Sequence, residues 1–201
     1  MPEPTSATPT SAPPTTAGSP RDRLLATASA LFYAEGITAV GVDRIVTESA
    51  VTRATLYRHF DGKAGLVAAY LEGEDARLRS LADAALATGA TGVELLRLVV
   101  HGIAQDVAER HTRGCPFINA AAEYPDPASA VRGIVATHRA WFRSTLEQVA
   151  AGAGLAEPGE VAAGLVMLRD AALVGGYLDG ADAVAATLVR SASALTGLDL
   201  S

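Results

Sequence analysis

Residues Val42–Phe60 read VDRIVTESAVTRATLYRHF. Val42, Ile45 and Val46 fall on one face of a helix, and Leu56 and Phe60 fall on one face of another. Between them Ala50 and Val51 leave room only for a tight turn. Thr52 is a residue whose hydroxyl caps a following helix. The stretch therefore predicts two short helices, about Val42–Ser49 and Arg53–His59, braced as a helix-turn-helix. With Leu56 and Phe60 inward, the second helix turns Arg53, Thr55, Tyr57 and Arg58 outward. Ala54 is small enough to let the backbone approach a base edge. Arg and Thr side chains suit guanine edges and thymine methyls. Free amides at Thr52 suit phosphate. Tyr57, His59 and Lys63 suit the phosphate backbone, and Arg44 of the first helix joins this set. The alternative is three packed helices without a nucleic-acid role, for which an exposed Arg-Thr-Tyr-Arg face would be odd.

Upstream, Ser19 can cap a helix and Pro20 suits its first turn. Leu24, Leu25, Ala28, Leu31 and Phe32 then recur at helical spacing, and Gly36 is a stop. Residues 1–19 are Pro, Thr, Ser and Ala with almost no large apolar group, which predicts a disordered tail. Downstream, Asp61 caps a long helix carrying Leu66, Val67, Tyr70, Leu71 and Leu78. Thr91 and Glu94 form a capping box ahead of a helix to about Arg110. A short helix spans Pro116 to Glu123, and Asp126-Pro127 opens another that ends near Gly152–Gly154. Pro158 starts the next, to about Gly180, and Asp182 starts the last, which stops at Gly197. No segment alternates as a strand does. The expectation is an all-α chain of about nine helices: a tail over 1–19, a helix-turn-helix domain over 20–65, and a body over 66–201.

The formal net charge is -6 across 201 residues. Residues 21–63 carry six basic against five acidic side chains, so the acidic excess lies downstream in the body. An acidic body repels a polyanion and leaves one end to approach it. The single cysteine, Cys115, excludes an intramolecular disulfide. No uninterrupted apolar run reaches the ~18 residues that span a bilayer. No charged-then-apolar leader is present, so a cytoplasmic protein with no membrane partner is expected.

Leu31-Phe32, Glu35-Gly36-Ile37, Ser49-Ala50-Val51-Thr52, Tyr57-Arg58-His59-Phe60 and Lys63 occur in that order. This run, from Arg21 to about Leu66, resembles the N-terminal domain of the TetR family of bacterial transcriptional regulators, one-component repressors of the AcrR-like kind. The resemblance implies a sequence-specific DNA-binding regulator, not an enzyme, with no cofactor or metal. It implies a homodimer on a palindromic operator, released by a small-molecule effector. At Ala50 the family usually has Gly, so a positive φ there would strain this turn. In such regulators the last two helices pair across a two-fold axis. Leu165, Leu168, Ala172, Gly176, Leu188 and Leu195 are the residues expected at that interface.

The segment Arg113–Tyr124 reads RGCPFINAAAEY and resembles a G-C-P-F-x-N-A-A-x-E stretch of one branch of the family. Cys115, Phe117, Asn119, His138, Trp141, Phe142 and Met167 are candidates to line an effector pocket. The competing reading is ordinary core, since aromatics at helical spacing serve that purpose as well. Cys115 is either a redox or electrophile switch, following Arg113 at a helix start, or a buried inert thiol. His101 and His138 suit satisfied polar roles, because no His or Cys pair has a zinc spacing. An enzyme using Cys115 with either histidine lacks a third, orienting member.

Overall fold

Ser19 opens the first helix by a reciprocal capping box. Its Oγ accepts from the Asp22 amide at 3.2 Å, and the Asp22 carboxylate accepts from the Ser19 amide at 3.2 Å. Helix α1 (Pro20–Glu35) ends at Gly36, whose φ of 94° a side chain would resist. The computed structural model describes residues 18–201. Most of the predicted tail, residues 1–17, lies outside the described residues. There follow α2 (Val42–Glu48), α3 (Arg53–His59), α4 (Gly62–Ala87), α5 (Gly92–Glu109) and α6 (Pro116–Glu123). The chain closes with α7 (Ala130–Gly152), α8 (Pro158–Asp179) and α9 (Ala181–Thr196). Among the described residues there are nine helices and no strand, as the sequence predicts.

The helix starts hold three corrections. Asp61 and Thr91 stand at N-cap positions, but neither side chain makes a capping hydrogen bond, so the predicted box at Thr91 and Glu94 does not form. Helix α7 starts at Ala130, later than Asp126-Pro127 suggests. Asp126 Oδ1 instead accepts from the Ala128 amide at 2.9 Å, closing its own turn, and Ser129 takes over the cap.

Helix α1 buries Leu24, Ala28, Leu31 and Phe32, against which Ile45, Leu56 and Phe60 close. The same apolar cluster runs on through Leu66, Tyr70 and Leu71 of α4 to Phe117, Leu173 and Leu188. The N-terminal domain and the body therefore share one core. A second cluster, including Leu96, Val100, Leu146, Leu165 and Leu200, sits farther along the body. Helix α9 packs against α5 and α8.

Helix α8 is long and apolar enough, by length and composition, to cross a membrane. It carries Arg169 and Asp170 at mid-length, however, and it packs between α7 and α9. Its inward side corrects the interface expectation. Leu165, Ala172, Gly176 and Leu188 are buried within the protomer. A Cβ on Gly176 would come within 3.1 Å of Val107, so this glycine serves the packing of α8 on α5. Leu168 packs partly buried between the two clusters, while Leu195 is 42% exposed. The outward side of α8 carries Met167, Val174, Tyr177 and Leu178, all exposed. Met167, at 72% exposure, is on that surface.

Ala50 has φ 53°, the one positive φ outside glycine among the described residues. The turn imposes it: the Val51 amide reaches back to the Val46 carbonyl at 3.3 Å, and Ser49 Oγ donates to the Ile45 carbonyl at 2.6 Å. Left-handed backbone costs an alanine more than the extra flexibility costs a glycine. Ala50→Gly is therefore expected to raise stability by about 0.5–1 kcal/mol in urea denaturation. Lower stability in the variant would show that the turn carries no strain.

Candidate nucleic-acid interface and its junction with the body

Thr52 Oγ1 accepts from the Thr55 amide at 3.1 Å and fixes the start of α3. Leu56 is fully buried, which orients the rest of the helix. Thr52, Arg53, Ala54, Tyr57, Arg58 and His59 are exposed together, with Thr55 half-buried beside them. The predicted face is thus assembled as one surface. In the free protein Arg53 pairs with Asp43 of α2. Two predicted members stand apart. Arg44 is held by Glu35 and Glu48 through all three guanidinium nitrogens, so it braces α2 on α1 rather than presenting a free cation. Lys63 is half-buried, and its Nζ donates to the Thr38 carbonyl at 3.3 Å.

The turn after α1 is gripped from the body. The Glu123 carboxylate, at the end of α6, accepts from the Ile37 amide at 2.8 Å and the Thr38 amide at 2.6 Å. Burial alone would raise this acid, but the two amides and Lys63 hold it below the usual carboxylate range. At the other end of α6, Tyr33 Oη donates to the Gly114 carbonyl at 3.1 Å and accepts from the Arg113 amide at 2.8 Å. Asn119, a predicted pocket residue, is exposed there, and its amide caps the Arg113 carbonyl at 3.1 Å.

Beside Tyr33 lies an ion cluster that no sequence signal distinguished. His111 is 3% exposed, and its Nδ1 donates to Asp106 Oδ2 at 2.5 Å. Its Nε2 lies 3.5 Å from Glu74 Oε2. Arg77 joins Asp106 at 2.9 Å and Glu74 at 3.2 Å, and Arg110 reaches Glu74 at 3.3 Å. Burial works against both charge signs here, yet the pairing outweighs it. Glu74 is drawn down to about 2, and His111 is pushed above its ordinary value.

A cavity of about 330 Å³ opens between α4, α5 and α7. Leu78, Leu81, Leu98, Ile103, Trp141 and Phe142 form its apolar wall, and Arg77, Asp106 and Arg110 also line it. Of the predicted pocket residues, only Trp141 and Phe142 line it. Cys115, Phe117 and His138 are brought together behind that wall. The His138 ring stacks on Phe117 at 3.7 Å and lies near Phe142 and Trp141. Cys115, 1% exposed, has the buried Arg169 as its polar neighbour, with Sγ 3.4 Å from Nη1. His101 bonds the Leu200 carbonyl at 2.8 Å, as a satisfied structural histidine.

A short capped helix with an exposed basic and polar face, docked across a tight turn, defines a helix-turn-helix regulator. The sequence profile described as "Bacterial regulatory proteins, tetR family" matches residues 24–70. A solved TetR-family transcriptional regulator from Streptomyces coelicolor is 42% identical, with a TM-score of 0.85, covering 89% of this chain and 94% of that one. The chain belongs to the TetR family of transcriptional regulators. The regulatory protein TetR from Rhodobacter sphaeroides shares the fold at 20% identity and TM-score 0.75, covering 87% of this chain and 97% of that one. A TetR-family regulator from Agrobacterium tumefaciens does so at 17% identity and TM-score 0.76, covering 89% and 97%. No curated protein matches the chain.

The ion cluster sets a pH dependence. Protonated His111 contributes fully below its ordinary value of 6.5, and that contribution is lost as pH rises through its raised folded value. Glu74 contributes above its ordinary value of 4.5 and loses this as pH falls toward about 2. The melting-temperature gap between wild type and His111→Gln should therefore be widest near about pH 5–6 and shrink by about pH 9. A gap that stays constant or widens toward alkaline pH would reject the assigned protonation.

Proposed function

We infer that the protein is a homodimeric repressor whose paired α3 helices bind a palindromic DNA operator, and that a small apolar molecule in the α4/α5/α7 cavity releases it. The observation that carries the DNA-binding role is the exposed face of Arg53, Tyr57 and Arg58, with Thr55 half-buried beside them, on a helix anchored by Leu56. Arg53 and Thr55 are assigned to base edges, and Tyr57, Arg58, His59 and Lys63 to phosphates. For Lys63 this requires exchanging the Thr38 carbonyl for a phosphate.

Dimerisation is assigned to the outer stripe of α8. Met167, Val174, Tyr177 and Leu178 leave apolar surface exposed along one side of a helix whose other side is already packed. A stripe of this kind marks an association surface. Leu195 of α9 continues it. A two-fold dimer presents two α3 helices to successive major grooves about 34–36 Å apart.

Release is assigned to α4, which runs from Lys63 beside the reading head to Leu78, Leu81 and Ala85 in the cavity wall. An effector that prefers one tilt of α4 shifts the spacing of the two heads by its differential affinity. A cytoplasmic place for the protein follows from this reading.

In mobility-shift titrations against the DNA flanking its own gene, Arg53→Ala should weaken binding about 10- to 100-fold, since a bidentate base contact is worth ~1–3 kcal/mol. Tyr57→Ala should weaken it less and alike across sequences. Unchanged binding in both variants would reject the face. Independently, Leu178→Arg should shift the protein toward monomer in sedimentation-velocity runs. A variant that remains fully dimeric would move the interface elsewhere.

A further inference from the structure

Behind the cavity wall lies a cationic group that the protein does not fully answer. Arg169 is 4% exposed. Its Nη1 lies 3.3 Å from Asp170 Oδ1 and 3.4 Å from Cys115 Sγ, while Nη2 is buried without a hydrogen-bond partner. Asp170 is shared, because its Oδ2 lies 2.8 Å from Arg139 Nη1. His138, 1% exposed, donates from Nδ1 to Asp75 Oδ1 at 2.8 Å, and its Nε2 is also buried without a partner. Asp75 is shared in turn, with Arg79 at 2.6 Å. Among the described residues, Arg79, Arg139 and Arg169 thus pair only with Asp75 and Asp170, and Asp75 also meets His138. Burial pushes His138 down against the pull of Asp75, so it does not add to the positive side at neutral pH.

A guanidinium keeps its proton, so it cannot escape burial by neutralising. A buried donor without an acceptor is among the costlier features a fold can hold. The ion cluster at His111 differs: Arg77 and Arg110 are answered by Asp106 and Glu74. Phe142 touches both Arg169 and the cavity. Its ring forms part of the cavity wall, and the Arg169 guanidinium carbon lies 5.1 Å from the ring centroid.

We propose that Arg169 is the head-group subsite of the effector cavity, and that the effector is an organic anion with an apolar body. The body fills the space lined by Leu78, Leu81, Ile103 and Trp141. The anionic oxygens pass the Phe142 ring, which turns aside, and accept from Arg169 Nη2. The subsite rests on reading the cavity as the effector site.

The experiment compares two fluorescent probes with the same aromatic body: anilinonaphthalenesulfonate, which bears an anion, and neutral phenylnaphthylamine. Both are titrated into the full-length protein, with mutual displacement to show a shared site. Wild type should bind the anion at least roughly tenfold more tightly, the scale of a charge-assisted hydrogen bond in a dry site. Arg169→Met should abolish that preference while leaving neutral-probe affinity within about twofold, and Arg169→Lys should keep most of it. Circular dichroism checks that each variant is folded, and the wild-type comparison stands if one is not. Equal affinity for the two probes in wild type overturns the head-group subsite and leaves the cavity reading intact. Binding of neither probe overturns the cavity reading and the subsite with it. A more stable Arg169→Met variant with unchanged probe selectivity would make Arg169 a purely structural charge and overturn the proposal.

Discussion

The Glu123 carboxylate sits on the amides of Ile37 and Thr38, 86 and 85 positions away in the chain, and the reading head cannot tilt without losing both bonds. An ionised acceptor holds amide donors more strongly than a neutral one, and two parallel bonds fix direction as well as distance. Lys63 of α4 binds the carbonyl of the same Thr38. Tyr33 of α1 ties the start of α6 as Glu123 ties its end. Helix α6 has eight residues, a rod of about 12 Å by helical rise, pinned to the DNA-binding domain at both tips. Its inner face, through Cys115 and Phe117, rests on Arg169 and His138. The rod thus links that interior to the turn that sets the position of α2 and α3.

Two polar interiors flank this rod and behave differently. The His111 cluster joins Glu74, Asp106, Arg77 and Arg110 in mutual compensation, with each carboxylate meeting more than one cation. Such a network is costly to half-break and so favours a single docking of α4 against α5. The Arg169 group has no such closure, since its two carboxylates are already divided among other partners. Balanced charge fixes the joint, and unbalanced charge leaves the body's interior open to a change of occupant.

What the sequence made legible follows from how local each feature is. Thr52, Leu56 and Phe60 act within one turn of α3, so their roles can be read without a structure. The left-handed turn at Ala50 was likewise visible, because a family glycine marks a backbone need. The interface was misphased because α8 is apolar nearly all round, and periodicity then cannot say which side meets its own core. Leu165, Ala172 and Met167 changed places for that reason. The cavity was half-read because Leu78, Leu81, Leu98 and Ile103 come from two helices and look like ordinary core. Cys115, Phe117 and His138 do lie together, but outside the cavity's lining rather than in it. Glu123 was visible at the end of its stretch, whereas its partners lie too far along the chain for any local pattern to show them.

The pairing of Arg53 with Asp43 bears on selectivity. A phosphate or base edge that engages Arg53 must first displace a carboxylate, which is then left facing a polyanion. Arbitrary DNA offers only a diffuse field in return, while a matching sequence offers a second, geometrically fitted acceptor. On the proposed reading of Arg53 as a base contact, this exposed ion pair would act as a small threshold, discounting casual contacts more than the correct one.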